Sequence, residues 1–336
     1  MNIAIVGATG NVGRKILEVL EKKEVQIENL YLLASSRSVG KKISFNGKEY
    51  IVEDLEKFDF SIVKIAFFAA GSSVAEKWAH VAAEKTIVID NSKFFRKDAD
   101  IPLIVPEVNP KQLTQVKNRN IIANANCSVI PVVVALKPLH DLYNVKRIVI
   151  STYQSVSGAG KGPMDELLSQ TQDYFNNKEL ESKNFTKQIA FNAIPHIDSF
   201  LENGYTKEEQ KTTDEIKKIL DKKIKVTSTC VRIPVLVSHS ISVNVEFDKK
   251  CNLDEIRNVL STSPGCKVID EHKDGGYITP VEAEDKFETF ISRIRLDESQ
   301  KNTINMWIVS DNLLKGAALN AIQIAEALIK NDFYGQ

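Results

Sequence analysis

The residue best placed for covalent chemistry is Cys127, in the run Asn124-Ala125-Asn126-Cys127-Ser128-Val129-Ile130-Pro131. Asn126 is a good helix N-cap, Pro131 is tolerated early in a helix, and an apolar pattern follows. Cys127 is therefore expected in a first helical turn, where the helix field lowers a thiol pKa from about 8.5 and enriches the thiolate. That chemistry is nucleophilic. Cys230, Cys251 and Cys266 follow the commoner pattern of a small buried hydrophobe. No CxxC or Cys/His metal spacing occurs, so no metal site is expected.

A second constellation opens the chain. Gly7-Ala8-Thr9-Gly10-Asn11-Val12-Gly13 follows the β-branched run 2–6 and precedes a helical pattern. Glycines there let the backbone turn tightly and approach a pyrophosphate, to which the helix N-terminus offers free N–H groups. An acidic residue at the end of the next apolar run would select NAD through a ribose hydroxyl. The run ends instead in Ala34-Ser35-Ser36-Arg37-Ser38, a charge and hydroxyls that suit the 2′-phosphate of NADP.

The elements that must position these groups follow from periodicity. Short apolar runs at 2–6, 29–34, 64–69, 86–90 and 120–123 alternate with helical stretches at Val12–Glu21 and Val74–Ala83. Continuous apolar strands alternating with helices predict an α/β fold with a parallel, doubly wound sheet, placed at 1–126. From about 145 the pattern changes. Five strand-like segments, several alternating as antiparallel strands with one solvated face do, are interspersed with helical stretches near 163–176 and 207–222. This predicts a second, α+β domain over 127–311. An amphipathic helix over 312–333 closes the chain, and 176–184 is the best loop or linker candidate.

Composition limits the function classes. The 336 residues carry 44 Lys+Arg against 44 Asp+Glu. A general nucleic-acid or membrane-surface binder would show a basic excess, so neither partner is expected. The length suggests two domains, and four cysteines in so long a chain are no disulfide scaffold. A reduced, cytoplasmic protein fits. No apolar run is long enough to span a membrane, and the first residues do not form a signal peptide.

The motifs together resemble the aspartate-β-semialdehyde dehydrogenase family: GATGNVG at 7–13, ASSRSVG at 34–40, VPEVN at 105–109, NANCSV at 124–129, YQSVSGAG at 153–160, CVRIPVLVSHS at 230–240 and DNLLKGAA at 311–318. They keep the family's order and cover both expected domains. The resemblance implies a Rossmann-type NADP-binding domain, onto which the C-terminal helix packs back, and a catalytic and dimerisation domain. It implies NADPH-dependent reductive dephosphorylation of aspartyl phosphate to aspartate semialdehyde, in biosynthesis of lysine, threonine, methionine and diaminopimelate, by a homodimer or homotetramer.

It also implies roles. Cys127 would be the nucleophile, His239 the general acid/base, and Gln154 the group that orients substrate and thioester. Arg232 would hold the substrate carboxylate, Arg96 the acyl phosphate, Lys211 would add to that anion site, and Glu208 would meet the substrate amine. Asn126 and neighbouring backbone donors are expected to steady an oxyanion. Gly7, Thr9, Gly10, Asn11, Val12, Ser35, Arg37 and Ser38 would bind the cofactor, with Ser157, Gly158 and Asn312 along the nicotinamide path. An unperturbed histidine pKa of about 6.5 would let His239 shuttle a proton near neutrality. Two features depart from the family: Gln210, where a methionine is usual, and Ala70-Gly71-Ser72-Ser73, where glycine is commoner.

Two other readings remain. N-acetyl-γ-glutamyl-phosphate reductase uses the same thioester logic, but typically with its cysteine in a PGCY context. A non-catalytic dinucleotide-binding regulator would have no need of Cys127, Gln154, Arg232 and His239 together.

Overall fold

A computed structural model describes residues 1–331. The described residues divide into two compact units, one formed by Met1–Ala125 with residues 317–331, the other by Asn126–Gly316. The return to the first unit thus begins at Ala317, inside the segment expected to be a single helix from 312. Residues 332 and 333 of that expected helix lie outside the described residues.

The first unit is built on β1 (Ile3–Val6), α1 (Asn11–Lys22), β2 (Leu30–Ala34), β3 (Lys42–Phe45), β4 (Lys48–Asp54), β5 (Ile65–Phe68), α2 (Ser72–Ala83), β6 (Ile87–Asp90), β7 (Leu103–Ile104) and β8 (Ile121–Asn124). The strands form one sheet in the order β3-β4-β2-β1-β5-β6-β8-β7, parallel except for the β3–β4 pair. Every residue of β1, β5 and β8 is buried, which is why these strands read as unbroken apolar runs. The β3–β4 hairpin was not expected. Its turn is Asn46-Gly47, both at positive φ (48° and 71°), the pair a two-residue hairpin turn favours. The C-terminal helix, Leu319–Lys330, is held to this sheet by polar groups: Asn320 donates to the Ile104 carbonyl (3.0 Å) and to Asn124 Oδ1 (2.6 Å).

The glycine turn shows why its residues are small. A Cβ on Gly7 would lie 2.8 Å from the Ala69 backbone, and one on Gly13 would lie 2.3 Å from the Gly7 carbonyl oxygen. Gly7 lets β1 pass the loop after β5, and Gly13 lets α1 pack against the strand end.

The second unit runs α3 (Val129–Tyr143), β9 (Val145–Gln154), α4 (Lys161–Phe175), α5 (Lys207–Ile219), β10 (Lys225–Arg232), β11 (His239–Phe247), α6 (Leu253–Thr262), β12 (Cys266–Val268), α7 (Pro280–Ala283), β13 (Thr289–Leu296) and β14 (Thr303–Ser310). Its sheet order is β10-β9-β11-β14-β13-β12. The centre is antiparallel, but β10–β9 and β12–β13 are parallel pairs, so the sheet is mixed. Residues 176–184 are a loop inside this unit. The Glu166 carboxylate accepts the Lys183 and Asn184 backbone N–H groups and the Asn184 amide, which ties that loop to α4. Among the described residues no helix is long and apolar enough to cross a membrane.

Gly13→Ala is expected to destabilise the protein by about 1–3 kcal/mol, the usual cost of overpacking a tight site. Thermal or urea unfolding of the variant measures it, and unchanged stability would contradict the close packing of α1 on Gly7.

Candidate active site

In the second unit, chemistry gathers where three neighbouring strands end. β9 closes on Gln154 and its parallel neighbour β10 on Arg232, the two being register partners. β11 begins with His239, one step beyond the Tyr153–Ser240 pair. Strand register therefore places an amide, a guanidinium and an imidazole side by side. All three are buried.

The turn carrying Cys127 enters from the other side. α3 is assigned from Val129, so Cys127 stands just ahead of the regular helix rather than within its first assigned turn. The capping chemistry nevertheless starts at Asn126. Its carbonyl accepts from Ile130 N (3.0 Å), and its Oδ1 accepts from Ser128 N (2.8 Å) and Ser128 Oγ (2.7 Å). The same residue gives its backbone N–H to Glu215 (2.6 Å) and its amide to Glu208 Oε1 (2.8 Å). The backbone N–H and one amide N–H of Asn126 thus serve two carboxylates.

Cys127 Sγ lies 3.2 Å from His239 Nε2. The far side of the imidazole is held by Ser155, whose backbone N–H donates to Nδ1 (3.1 Å) and whose Oγ lies 3.0 Å from it. A backbone N–H can only donate, so Nδ1 is an acceptor and the neutral ring carries its proton on Nε2, facing the sulfur. Burial, then the Arg232 charge, push the His239 pKa down to about 3, with Glu208 opposing. The ordinary histidine pKa expected of the shuttle is thus shifted downward in the site. At neutral pH His239 is a neutral donor toward sulfur.

Asn312 orders the surroundings. Its Oδ1 accepts from Ser155 Oγ (3.1 Å), Ser157 Oγ (3.2 Å) and the Ser238 backbone N–H (2.9 Å). Ser238 sits at φ 73°, an uncommon conformation for a residue with a side chain, directly before His239. A Cβ on Gly158 would lie 3.2 Å from His239 Nε2 and 3.4 Å from an Arg232 terminal nitrogen, so its absence keeps space open beside both groups. Arg232 itself donates to the Ser155 carbonyl (2.6 Å). Burial lowers its pKa, while Cys127 and Glu208 pull the other way.

Glu208 and Lys211 are not a solvated surface pair. α5, started by a Thr206/Glu209 capping box, turns Glu208 inward, and Lys211 bridges Glu208 (2.9 Å) and Asp198 (2.7 Å). Burial lowers the Lys211 pKa, but the two carboxylates outweigh it and the net shift is upward. Gln154 donates to Thr152 Oγ1 (3.2 Å). Asp198 and Glu215 carry no motif of their own, and Ser155, inside YQSVSGAG, was not singled out there. A signal existed for Glu215, which follows Glu208 by seven positions and so shares its helix face.

The first unit holds a cleft of about 570 Å³ lined by Gly7, Thr9, Gly10, Ser35, Ser36 and Ser38 among others. Of the other residues expected to bind cofactor there, Asn11 and Val12 begin α1, and Arg37 is exposed on the same turn as the serines without lining the cleft. Arg96 also belongs to this unit. It donates to the Asn91 carbonyl (3.0 Å) and lies near Asp90, whose pKa burial raises against the pull of Ser92 and Arg96. Among the described residues no cluster of side chains could hold a metal ion.

Two outcomes follow. Iodoacetamide should modify Cys127 faster than Cys230, which is fully buried with its thiol pushed up to about 12. Mass-mapped labelling that reaches Cys230 first would contradict the geometry. His239 is held neutral on folding, so below a pH of about 6.5 the unfolded chain gains a proton that the folded one refuses. Its contribution to stability is complete above that pH and falls as pH drops toward about 3. Denaturant unfolding at stepped pH should therefore show a flatter acid dependence for His239→Gln, and an unchanged slope would refute the shift.

Comparison with known proteins agrees over the whole chain. Residues 2–116 match the family model described as semialdehyde dehydrogenase, NAD binding domain, and residues 136–315 that described as semialdehyde dehydrogenase, dimerisation domain. The aspartate-semialdehyde dehydrogenase of Aquifex aeolicus is 49% identical over 332 residues, 98% of each chain. That of Rickettsia bellii is 49% identical over 330 residues, again 98% of each. Crystal structures of aspartate semialdehyde dehydrogenase II from Vibrio cholerae, one of them complexed with ASA, superpose with a TM-score of 0.96 at 48% identity over 98% of both chains. Two domain matches, near-half identity end to end and a shared fold have one reading: the chain belongs to the aspartate-semialdehyde dehydrogenase family.

Proposed function

We propose that this chain catalyses the reversible, NADPH-dependent reductive dephosphorylation of L-aspartyl-4-phosphate to L-aspartate-4-semialdehyde. The step belongs to the biosynthesis of lysine, threonine, methionine and diaminopimelate. The observation that carries the proposal is the 3.2 Å approach of Cys127 Sγ to His239 Nε2, with Arg232 and Glu208 buried in the same cluster. A nucleophile, a proton-bearing donor and opposite charges for an amino acid's carboxylate and amine are what this substrate requires.

The Cys127 thiolate attacks the acyl carbon. The carbon–oxygen bond to phosphate breaks, and an enzyme thioester remains. The Nε2–H of His239 stabilises the thiolate beforehand and the oxygen that gains charge afterwards. Gln154, steadied by Thr152, orients the thioester. Arg232 holds the α-carboxylate as a planar fork, and Glu208 meets the amine. Arg96 and Lys211 take the phosphate. The glycine turn and the serines after β2 fit a dinucleotide, since Gly7 leaves the backbone bare where a Cβ would not fit. When bound, that cofactor supplies a hydride to the thioester carbon. Collapse of the resulting alkoxide breaks the carbon–sulfur bond, releases the aldehyde and returns the thiolate. Ser157, Gly158 and Asn312 line the nicotinamide path, and Asn11, Val12, Ser35, Arg37 and Ser38 complete the cofactor site.

We place the protein in the cytoplasm. It acts as a homodimer through the segment that matches a dimerisation domain, or as a tetramer of such dimers.

Purified protein mixed with L-aspartate-β-semialdehyde, NADP and phosphate should form NADPH in a phosphate-dependent way, and Cys127→Ser should abolish it. Activity confined to N-acetylglutamate semialdehyde would move the assignment to the acetylglutamyl enzyme. Arg37→Ala should lower kcat/KM for NADP about tenfold more than for NAD, the worth of roughly 1.4 kcal/mol. An unchanged ratio would remove Arg37 from cofactor selection.

A further inference from the structure

Beyond the strand ends, one more segment touches the nucleophile. Between β14 and the C-terminal helix the chain makes a π-helical turn, Leu314–Ala318, in which Gly316 N donates to the Asp311 carbonyl five residues back (3.0 Å). Such a turn bulges one residue outward from the helical path. The neighbour it meets is Cys127. A Cβ built on Gly316 would lie 2.9 Å from Cys127 Cβ, 3.2 Å from its Cα and 3.3 Å from its carbonyl oxygen. None of these is the far end of a flexible side chain, so no substituent fits without moving the cysteine backbone or the turn.

The turn is anchored. Asp311, fully buried, accepts from Leu313 N (2.8 Å) and Leu314 N (3.0 Å) through Oδ1 and from Asp285 N (2.9 Å) through Oδ2. Lys315, in the middle of the turn, is fully buried too. On its other side Cys127 is carried by the short turn from Asn126 to α3, which Asn126 ties to Glu215 and Glu208. Those bonds fix the turn at Asn126, and the close approach of Gly316 bounds the Cα and Cβ of Cys127 itself.

We propose that the π-helical turn is the back wall of the nucleophile and that Gly316 is a positioning residue, its bare Cα setting the distance between Cys127 Sγ and His239 Nε2. The inference rests on Cys127 being the nucleophile. It extends the site to a residue that acts through Cys127. It also gives the π-helical irregularity a purpose, since a regular α-helical path would not carry Gly316 into the cysteine.

The test is Gly316→Ala, with Asp311→Asn as a second variant that loosens the turn without adding an atom beside Cys127. Both are compared with wild type and Cys127→Ser by circular dichroism, steady-state kinetics and the pH profile of Cys127 alkylation. The expected result for Gly316→Ala is a kcat reduced on the order of 10²-fold, as for about 1 Å of misplacement. KM values should hold within about twofold, and the alkylation profile should move toward an ordinary thiol, with a pKa of about 8.5. Asp311→Asn should change kcat and alkylation in the same direction by less. A folded Gly316→Ala with wild-type kcat and alkylation overturns the inference. So does wild-type behaviour of Asp311→Asn where Gly316→Ala does not fold. Activity retained by Cys127→Ser would instead remove the reading on which it rests.

Discussion

One backbone N–H governs the site. Ser155 N donates to His239 Nδ1, and because that donor cannot reverse, the imidazole proton is confined to Nε2, 3.2 Å from the Cys127 sulfur. The rest of the second unit can be seen as what keeps this bond in place. β9 delivers Ser155 one residue past Gln154, β11 delivers His239 in register beside it, and the Asn312 amide clamps Ser155, Ser157 and the strained Ser238 into one arrangement. Sheet ends are suited to this because strand register sets side-chain positions with less freedom than a loop allows.

The same cluster must bury charge at tolerable cost. Arg232, Glu208 and Glu215 are nearly or fully shielded, Lys211 largely so. Isolated, each would carry a desolvation penalty of several kcal/mol. Here each has partners. Asn126 is the link, since it gives one donor to Glu208 and one to Glu215 while its Oδ1 holds the start of α3. The turn that carries Cys127 is thereby fastened to the charged helix α5. Loss of one member would leave its partners unpaired, so the cluster behaves as a unit and is poorly described by pairwise energies.

Much of this was legible in the sequence, for a physical reason in each case. Buried parallel strands such as β1, β5 and β8 read as unbroken apolar runs, and the glycines at 7 and 13 read as a turn because only a bare Cα fits there. The β3–β4 hairpin went unread although Asn46-Gly47 announced it, because the alternation of β3 spans only four residues and β4 buries only Val52. The parallel outer pairs of the second sheet were invisible, since alternation along a strand says nothing about its neighbour's direction. Within the site, Cys127 and the inward face of α5 have local signatures. Asp198 has none, because it acts through a contact 13 residues away in sequence, and Ser155 sits in a motif that does not reveal the part its backbone N–H plays.

Histidine shows most plainly what a sequence leaves open. A pKa near neutrality suggests a proton shuttle, but that value belongs to an imidazole in water. Inside the site, burial and Arg232 oppose a second proton on the ring, and the Ser155 N–H occupies the nitrogen where it would bind. A neutral imidazole still donates a hydrogen bond, and to a sulfur or oxygen gaining negative charge in a dry site that donation stabilises without needing a proton to be carried in first. The arrangement matches the charge flow of thioester chemistry. Negative charge begins on sulfur, passes to the carbonyl oxygen as the carbon turns tetrahedral, and returns to sulfur when the aldehyde leaves. On the proposed mechanism a donor held in one tautomer serves each stage by following the charge, so that the orientation of His239 matters more than its ability to titrate.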